Sequence, residues 1–349
     1  MADVNISSLS LKQVPELAHF SKLIHPKLNN AKERILWFTF STPFLKDNET
    51  PPALLALSRE GKVVGQFMLN GQEWNYQGET NSGFFGYDFF IEKSFRGSGI
   101  GALLLFKVIR QYKPFFGIGL TEAAERLYNV AKVKEIGSFK KFLWINNPLS
   151  SCKHVLSYLV KLNSKYLKLS HTRLFPQKIN VGGLIFELVE RLPEEKYKPY
   201  YDPGVIEFSR STEFLRWRFF DSDIKYYFYY CENYNTPLFF VVRPILKKGL
   251  NLLSLVDYKV SVEDATAWRA ILRAAKKITK DTDLDGLVSV SSYDYFSSVF
   301  KKEGFFTVGK PAPIVSTVYD TLPAGNISKE TTIFITMADS DVDLNFGDN

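Results

Sequence analysis

The chain's 349 residues exceed one small core and predict two domains of about 150 residues each. With 45% apolar and 15% aromatic residues, a disordered chain is excluded and strand-rich α/β structure is favoured, because Phe and Tyr suit pleated, half-buried surfaces. Cys152 and Cys231 lack Cys-x-x-Cys or histidine spacing, which argues against a disulfide framework or a zinc site, and the net charge of +7 suits an acidic surface, nucleic acid or a small polyanion.

Part of that charge, Lys153, Lys161, Lys165, Lys168, Arg173 and Lys178, is spaced as a solvated helical face would be, with a nucleotide or coenzyme phosphate as the other reading. The start of the chain has no basic cluster leading into an apolar run, and no apolar stretch of about 18 residues occurs, so a soluble, cytoplasmic protein is expected.

In chain order, 14–24 reads as a helix, and 53–57 with 62–69 as a hairpin across Arg59-Glu60-Gly61. An aromatic strand at 84–91 runs into Phe95-Arg96-Gly97-Ser98-Gly99-Ile100-Gly101. The helix that follows, 99–112, shows only a narrow polar stripe (Lys107, Arg110, Gln111) and is otherwise expected to be buried. After Pro114, a short strand at 115–120 holds Gly117 and Gly119, and Thr121 caps a helix with Ala124, Leu127, Tyr128 and Ala131 on its apolar face. A strand at 139–145 closes the unit; Asn146-Asn147-Pro148 then breaks the pattern before a helix over 150–169.

The second half repeats this order. Strands at 225–231, 238–242 and 252–260 precede a helix that starts at Ser261, capped through Asp264, and runs to about residue 279. A strand at 286–290, a helix at 294–302 and strands at 305–308 and 314–319 complete it. Lys259-Val260-Ser261-Val262-Glu263-Asp264 stands where the glycine loop stood. An ancient duplication with one phosphate-binding copy is the reading, divided as 1–149, a helical linker 150–180, and 181–349.

The glycine loop lies between a strand and an apolar helix, so its main-chain amides sit at a helix N-terminus where the dipole and the missing Cβ atoms favour an anion. Arg96 can add a charge-assisted contact. A tight turn is the plain alternative. No Lys-Ser/Thr follows, as a P-loop needs, and the Rossmann setting is missing.

Arg96-x-x-Gly99-x-Gly101 in that setting resembles the coenzyme A pyrophosphate loop of the Gcn5-related N-acetyltransferase (GNAT) superfamily, whose element order the chain follows over about 50–146. Lys302-Glu303-Gly304-Phe305 resembles the turn after that family's last helix. The resemblance implies an α/β (α+β) fold of two tandem GNAT-like domains, each a mixed, mostly antiparallel sheet flanked by helices. It implies an acyl-CoA thioester as co-substrate, held by Phe89, Phe90, Ile91, Arg96, Gly97, Ser98, Gly99, Ile100 and Gly101, with an amide near Phe89 or Phe90 on the thioester carbonyl. Gly117 and Gly119 leave one strand face bare, where the resemblance places the pantetheine arm and where a bend or tight packing is the alternative. Tyr128 matches the tyrosine that protonates the departing thiolate in many relatives, and also fits a core position.

Phe214-Leu215-Arg216-Trp217-Arg218-Phe219 and Thr336-Met337-Ala338-Asp339-Ser340-Asp341-Val342-Asp343 are similar to segments of double-domain acyltransferases encoded with bacterial surface-polysaccharide enzymes. This second resemblance implies transfer of an acetyl or 3-hydroxybutyryl type group to a dTDP-linked amino sugar, such as a dTDP-3-amino-3,6-dideoxyhexose, for O-antigen or capsule. Trp217, Arg218, Tyr258, Asp339 and Asp341 are its candidate acceptor residues, with strand core as the alternative for the aromatics. The partners are then acyl-CoA and a nucleotide-linked amino sugar, with no nucleic acid or membrane, for a monomer or homodimer. Aminoglycoside or aminoacyl transfer to peptidoglycan precursors, and an inactive binding protein of the same fold, are the competing readings.

The resemblance implies direct attack of a neutral amine in a ternary complex. A sugar amine titrating near about 8 is roughly a tenth neutral at pH 7, so a weak base suffices. Asp88 and Glu122 are the candidates, set against a solvated strand-edge Asp and a Glu stabilising a helix N-terminus. His19, His25, His154 and His171 show neither metal spacing nor a triad order and read as surface or packing residues. The run from Asp339 to Asp343 resembles the start of a calcium loop, but Leu344 replaces the glycine, so no metal is expected.

Overall fold

A computed structural model describes residues 4–26, 30–45, 51–160, 174–321 and 332–343. Its elements are β1 (Val4–Ser8), α1 (Val14–Ile24), α2 (Ala31–Ile35) with a π-helical turn (Leu36–Phe40), β2 (Ala53–Ser58), β3 (Val63–Tyr76), β4 (Glu79–Ile91), α3 (Ile100–Gln111), β5 (Phe115–Ile118), α4 (Glu122–Val130) and β6 (Lys134–Ile145). They continue as α5 (Pro148–Leu159), β7 (Lys178–Val181), β8 (Leu184–Val189), β9 (Val205–Phe208), α6 (Thr212–Leu215), β10 (Tyr227–Cys231), β11 (Leu238–Lys247) and β12 (Leu250–Lys259). The last are α7 (Ala265–Asp281), β13 (Gly286–Ser291), α8 (Asp294–Lys302), β14 (Phe306–Thr307), β15 (Ala312–Ser316) and β16 (Thr332–Phe334). The sheets are mixed and mostly antiparallel, with helices on them. Among the described residues no helix is long and apolar enough to cross a membrane.

Two compact units divide the chain, and neither is contiguous: one comprises 1–138, 204–209 and 312–333, the other 139–203, 210–311 and 334–349. This differs from the expected cuts at 149 and 180, because strand pairing crosses the sequence halves. In the first unit the strand order is β1-β2-β3-β4-β5-β15, so β15 from the second half pairs with β5. The 139–145 strand, expected to close the first unit, pairs instead with β13 in the second. Of the expected 150–169 helix, α5 reaches Leu159; Lys161, Lys165, Lys168, His171, Arg173 and Leu344 lie outside the described residues.

The first unit's core is set by a helix face on strand residues. Ile100, Leu104, Leu105 and Val108 of α3, spaced one turn apart, pack with Leu54, Val64, Phe67, Leu69, Phe115 and Tyr128. Each such side chain contributes roughly 1.5–3 kcal/mol of burial. The buried face of α3 is narrower than expected, since Leu103 and Phe106 are 54% and 43% exposed. Thr121 caps α4 through a bond from the Ala124 amide, and Ala124, Leu127 and Ala131 are half-buried against the same core.

The second unit orders its strands β6-β13-β12-β11-β10-β8-β7. The aromatic β10 is covered on both faces: Phe228 stacks on Phe239 and Tyr229 on Phe240. Helix α7 starts later than expected. Asp264, not Ser261, is the cap, accepting from the Thr266 and Ala267 amides; the Ser261 hydroxyl donates to Asp202.

Both units share one strand device. Beside β4, the parallel β5 pairs over three positions only, Phe84/Phe115 to Gly86/Gly117, and β12 and β13 do the same from Leu252/Gly286 to Ser254/Val288. Just beyond each, the antiparallel neighbour records a bulge, at Gln66/Met68 in one unit and Val241/Val242 in the other. Gly286 is indispensable to its pairing: a Cβ there would meet the Trp144 carbonyl oxygen at 2.3 Å. Gly286→Ala is therefore expected to destabilise the protein by at least about 1–3 kcal/mol, as overpacking does, read as a lower urea midpoint with an unchanged denaturant slope.

Candidate active site

Strand β4 builds the site by ending its regular pairing early. Gln66 faces Phe90 and Met68 faces Tyr87, so Phe67 alone opposes both Asp88 and Phe89. Two residues against one is a β-bulge, which leaves a main-chain group outside the ladder and re-aims a side chain. Asp88 takes the strain, with φ of 45°. Among the described residues no strand pairs with β4 past Gly86 on the β5 side, so the segment from Tyr87 to Ile91 presents main-chain groups there. Phe89 stacks on Phe67 with ring centroids 4.5 Å apart, which fixes the bulge to the core.

The loop after β4 has the conformation an anion site requires. Gly97 and Gly99 adopt φ of 81° and 88°, the left-handed region open to glycine at little cost, and a Cβ at either would meet nothing within 4 Å. Glycine is thus needed here for backbone shape. Gly99 is the N-cap of α3 with no side chain to cap it, and the first turn carries no acid. The leading amides of α3 therefore keep the unpaired N–H groups and positive dipole end that favour phosphate oxygens. The Ser98 hydroxyl donates to the Phe95 carbonyl at 2.6 Å, which braces the turn. Arg96 Nε donates to the Ile91 carbonyl at 3.0 Å, and its guanidinium lies over Phe90 at 5.1 Å, tying the loop to the strand end while the residue stays exposed. A Cβ on Gly101 would lie 3.4–3.7 Å from Leu127, Ile91 and Phe89, so loop, strand end and α4 converge there.

Gly117 and Gly119 behave differently from expectation. The space beside Gly117 is filled, with Phe115 and Val315 at 3.1–3.4 Å from a would-be Cβ, and Gly119 lies beyond the end of β5 at φ of 69°. The strand face at Gly117 is therefore packed, whereas nothing lies within 4 Å of a would-be Cβ at Gly119, which sits at the bend after the strand.

Of the three candidate catalytic residues, Asp88 is no solvated edge residue: its side chain is 13% exposed. It accepts from His25 Nε2 at 2.9 Å and faces Arg34 at 3.7 Å. Burial would raise its carboxyl, but the His25 bond and the Arg34 charge outweigh this and hold it below the usual carboxylate range. Tyr128 is buried and stacks on Phe115, and burial pushes its phenol far up, so it stays a proton carrier. Glu122 is exposed on the first turn of α4, where a negative charge complements the helix dipole. His25 and Arg34 are the residues that sequence reasoning missed; only the chain's three-dimensional return of α1 and α2 to the bulge reveals them.

The proposed acceptor residues of the second unit need correction. Arg218 is fully buried, donates to Asp343 and to the Tyr226 hydroxyl, and Asp343 also accepts from Tyr226 at 2.6 Å. Asp339 binds Arg210 at 2.6 Å, and Asp257 accepts two more bonds from the same guanidinium. Burial opposes the charge on Arg210 and Arg218, but their carboxylates outweigh it and raise both further. Trp217 is buried too, and Tyr258 donates to the Val290 carbonyl at 2.8 Å while packing on Trp268. The polar groups of Arg218, Asp339 and Tyr258 are satisfied inside the protein, and Trp217 is buried with them; Asp341 is half-buried.

Comparison with known proteins agrees with the strand, loop and helix geometry. The acetyltransferase (GNAT) family model matches residues 16–131. Residues 16–131 are thus similar to a GNAT acetyltransferase domain. No curated protein matches the chain by sequence. Among solved structures, Saccharomyces cerevisiae N-myristoyltransferase with bound myristoyl-CoA is 13% identical with a TM-score of 0.57, over 90% of this chain and 83% of that one. A GCN5-related N-acetyltransferase from Anabaena variabilis is 13% identical with a TM-score of 0.53, over 89% and 72%. A proposed acetyltransferase from Pyrococcus horikoshii is 14% identical with a TM-score of 0.52, over 97% and 95%. At these identities the likeness is one of fold, and it extends well past the GNAT domain match.

If the Arg218–Asp343 pair is structural, Asp343→Ala strands a buried guanidinium and is expected to cost about 3–5 kcal/mol. Chemical denaturation reads the loss; a variant of unchanged stability but weakened acceptor binding would restore the acceptor role.

Proposed function

We propose that this protein is an acyl-CoA-dependent N-acyltransferase. The observation that carries the reading is the left-handed glycine loop at the uncapped start of α3, directly continuous with a bulged, partly unpaired β4. Pyrophosphate oxygens would accept from the amides of residues 97–101, and the thioester carbonyl would accept from an amide at Phe89 or Phe90, where negative charge develops in the tetrahedral transition state. The GNAT domain match supports this, as does the fold shared with an N-myristoyltransferase crystallised with myristoyl-CoA.

The chain's residues then divide the work. Phe89, Phe90 and Ile91 line the acyl end, Arg96 to Gly101 hold the phosphates, and Tyr128, protonated by virtue of its burial, donates to the departing thiolate. The acceptor we propose is the amine of a dTDP-linked amino-deoxy sugar, on the resemblance of 214–219 and 336–343 to segments of sugar N-acyltransferases. Given the burial of those segments, they would act by supporting the second unit rather than by touching the sugar.

Free thiol release and product mass, measured over a panel of acyl-CoAs against dTDP-amino sugars, aminoglycosides and peptides, test the reading. Transfer to the amino sugars alone is expected; turnover only with another amine class would replace the acceptor, and none with any amine would remove the enzyme. Arg96→Glu is expected to weaken acyl-CoA affinity about 10- to 100-fold, the loss of one charge-assisted contact, without unfolding the chain. Unchanged affinity by calorimetry would count against the loop.

A further inference from the structure

Three groups from separate elements, His25, Arg34 and Asp88, meet at the β4 bulge, and none of them has a task in the acyl transfer proposed above. His25 is the C-cap of α1, where Pro26 bars continuation of the helix. Its Nε2 lies 2.9 Å from Asp88 Oδ1, and Arg34 of α2 lies 3.7 Å from the other carboxylate oxygen. The side chains of Asp88 and Arg34 are 13% and 10% exposed, against 29% for His25. The imidazole is thus the member of the cluster that opens outward.

The tautomer follows from the pairing. A carboxylate held ionised can only accept, so the proton between the pair belongs to Nε2 and the neutral ring carries its lone pair on Nδ1. Asp88 itself is a poor base, because its negative charge is already engaged by two cation-capable partners. Its main chain is also fixed: Gln66, fully buried, donates its amide to the Asp88 carbonyl at 3.2 Å. That bond sets the orientation of Gln66, whose Oε1 has no hydrogen-bond partner among the described residues. A buried acceptor oxygen left this way is unfavourable, so the Gln66 side chain is committed to holding the Asp88 main chain. Asp88 immediately precedes Phe89 in the chain, so the cluster sits beside the amide assigned to the thioester carbonyl.

We propose that His25 is the catalytic base that takes the proton from the acceptor amine, and that Asp88, held by Arg34 and Gln66, is the residue that positions it. The inference rests on the acyl transfer proposed above. In the step, the amine nitrogen bonds to the thioester carbon as the carbon–sulfur bond breaks. The nitrogen's surplus proton passes to His25 Nδ1, the imidazolium faces the Asp88 carboxylate, and the coenzyme A sulfur takes its proton from the Tyr128 hydroxyl; the imidazolium then gives its proton to solvent as Tyr128 regains one from solvent, so amide and free thiol form with no net proton change. The substrate class implied is a primary amine that reaches His25 on the α1 and α2 side of β4.

The charged groups recorded against His25 are Asp88 on β4 and, through it, Arg34 on α2; on its own helix Lys22 is exposed one turn back. Steady-state kinetics of the full chain with acyl-CoA and its accepted amine, run from pH 5 to pH 9 alongside calorimetric acyl-CoA binding, form the test. His25→Gln is expected to lower kcat by about 10²–10³, the usual range for one general base. Acyl-CoA affinity should stay within about twofold, and the acid limb of kcat/KM should vanish. Asp88→Asn retains the imidazole but removes the charge facing the imidazolium, so the acid limb should persist and move to lower pH. Full activity with an unaltered acid limb in His25→Gln overturns the proposal, as does an unmoved limb in Asp88→Asn should His25→Gln fail to bind acyl-CoA. A wild-type chain that neither binds acyl-CoA nor transfers acyl groups fails at the earlier reading instead.

Discussion

Unpaired main-chain amides at the junction of β4 and α3 are the constraint on which the rest of the first unit depends. A helix start leaves its leading N–H groups without intrahelical partners, and here neither a capping side chain nor an acid satisfies them. Left-handed Gly97 and Gly99 keep the approach open. The hydrophobic packing of α3 onto Phe67, Leu69 and Phe115 holds that junction in place. Packing thus sets the geometry, and main-chain dipoles set what the geometry attracts.

The second unit shows the same strand device put to another use. Beside its bulge, Asp257 engages Arg210, which also binds Asp339, and Arg218 is enclosed by Asp343 and Tyr226. Where the first unit leaves main-chain donors open, this one fills its interior with paired charges that satisfy one another. Such buried pairs add little net stability over apolar packing but are costly to break singly. Lys259 to Asp264 in place of a glycine loop is consistent with that difference.

Elements with strong local causes were legible in the sequence. Helix α8 has the expected bounds Asp294–Lys302, α1 matches 14–24, and Thr121 caps α4 as its side-chain chemistry implied. The glycine loop was legible for the same reason, since left-handed conformation selects glycine. What escaped depended on contacts remote in sequence. The exchange of strands that pairs β6 with β13 and β15 with β5 has no local cause. Trp217, Arg218 and Asp339 resemble ligand groups in sequence because charge and aromaticity do not declare burial; partners of Arg218 and Asp339 lie some 120 residues away. His25 and Asp88, 63 residues apart, failed a search for triad order for the same reason.

A crystal structure of the chain with acyl-CoA tests the central claim most directly. Diphosphate oxygens are expected within about 2.7–3.2 Å of main-chain nitrogens between Gly97 and Gly101, with the thioester beside Phe89. A fully occupied coenzyme bound elsewhere, with those amides untouched, would contradict it.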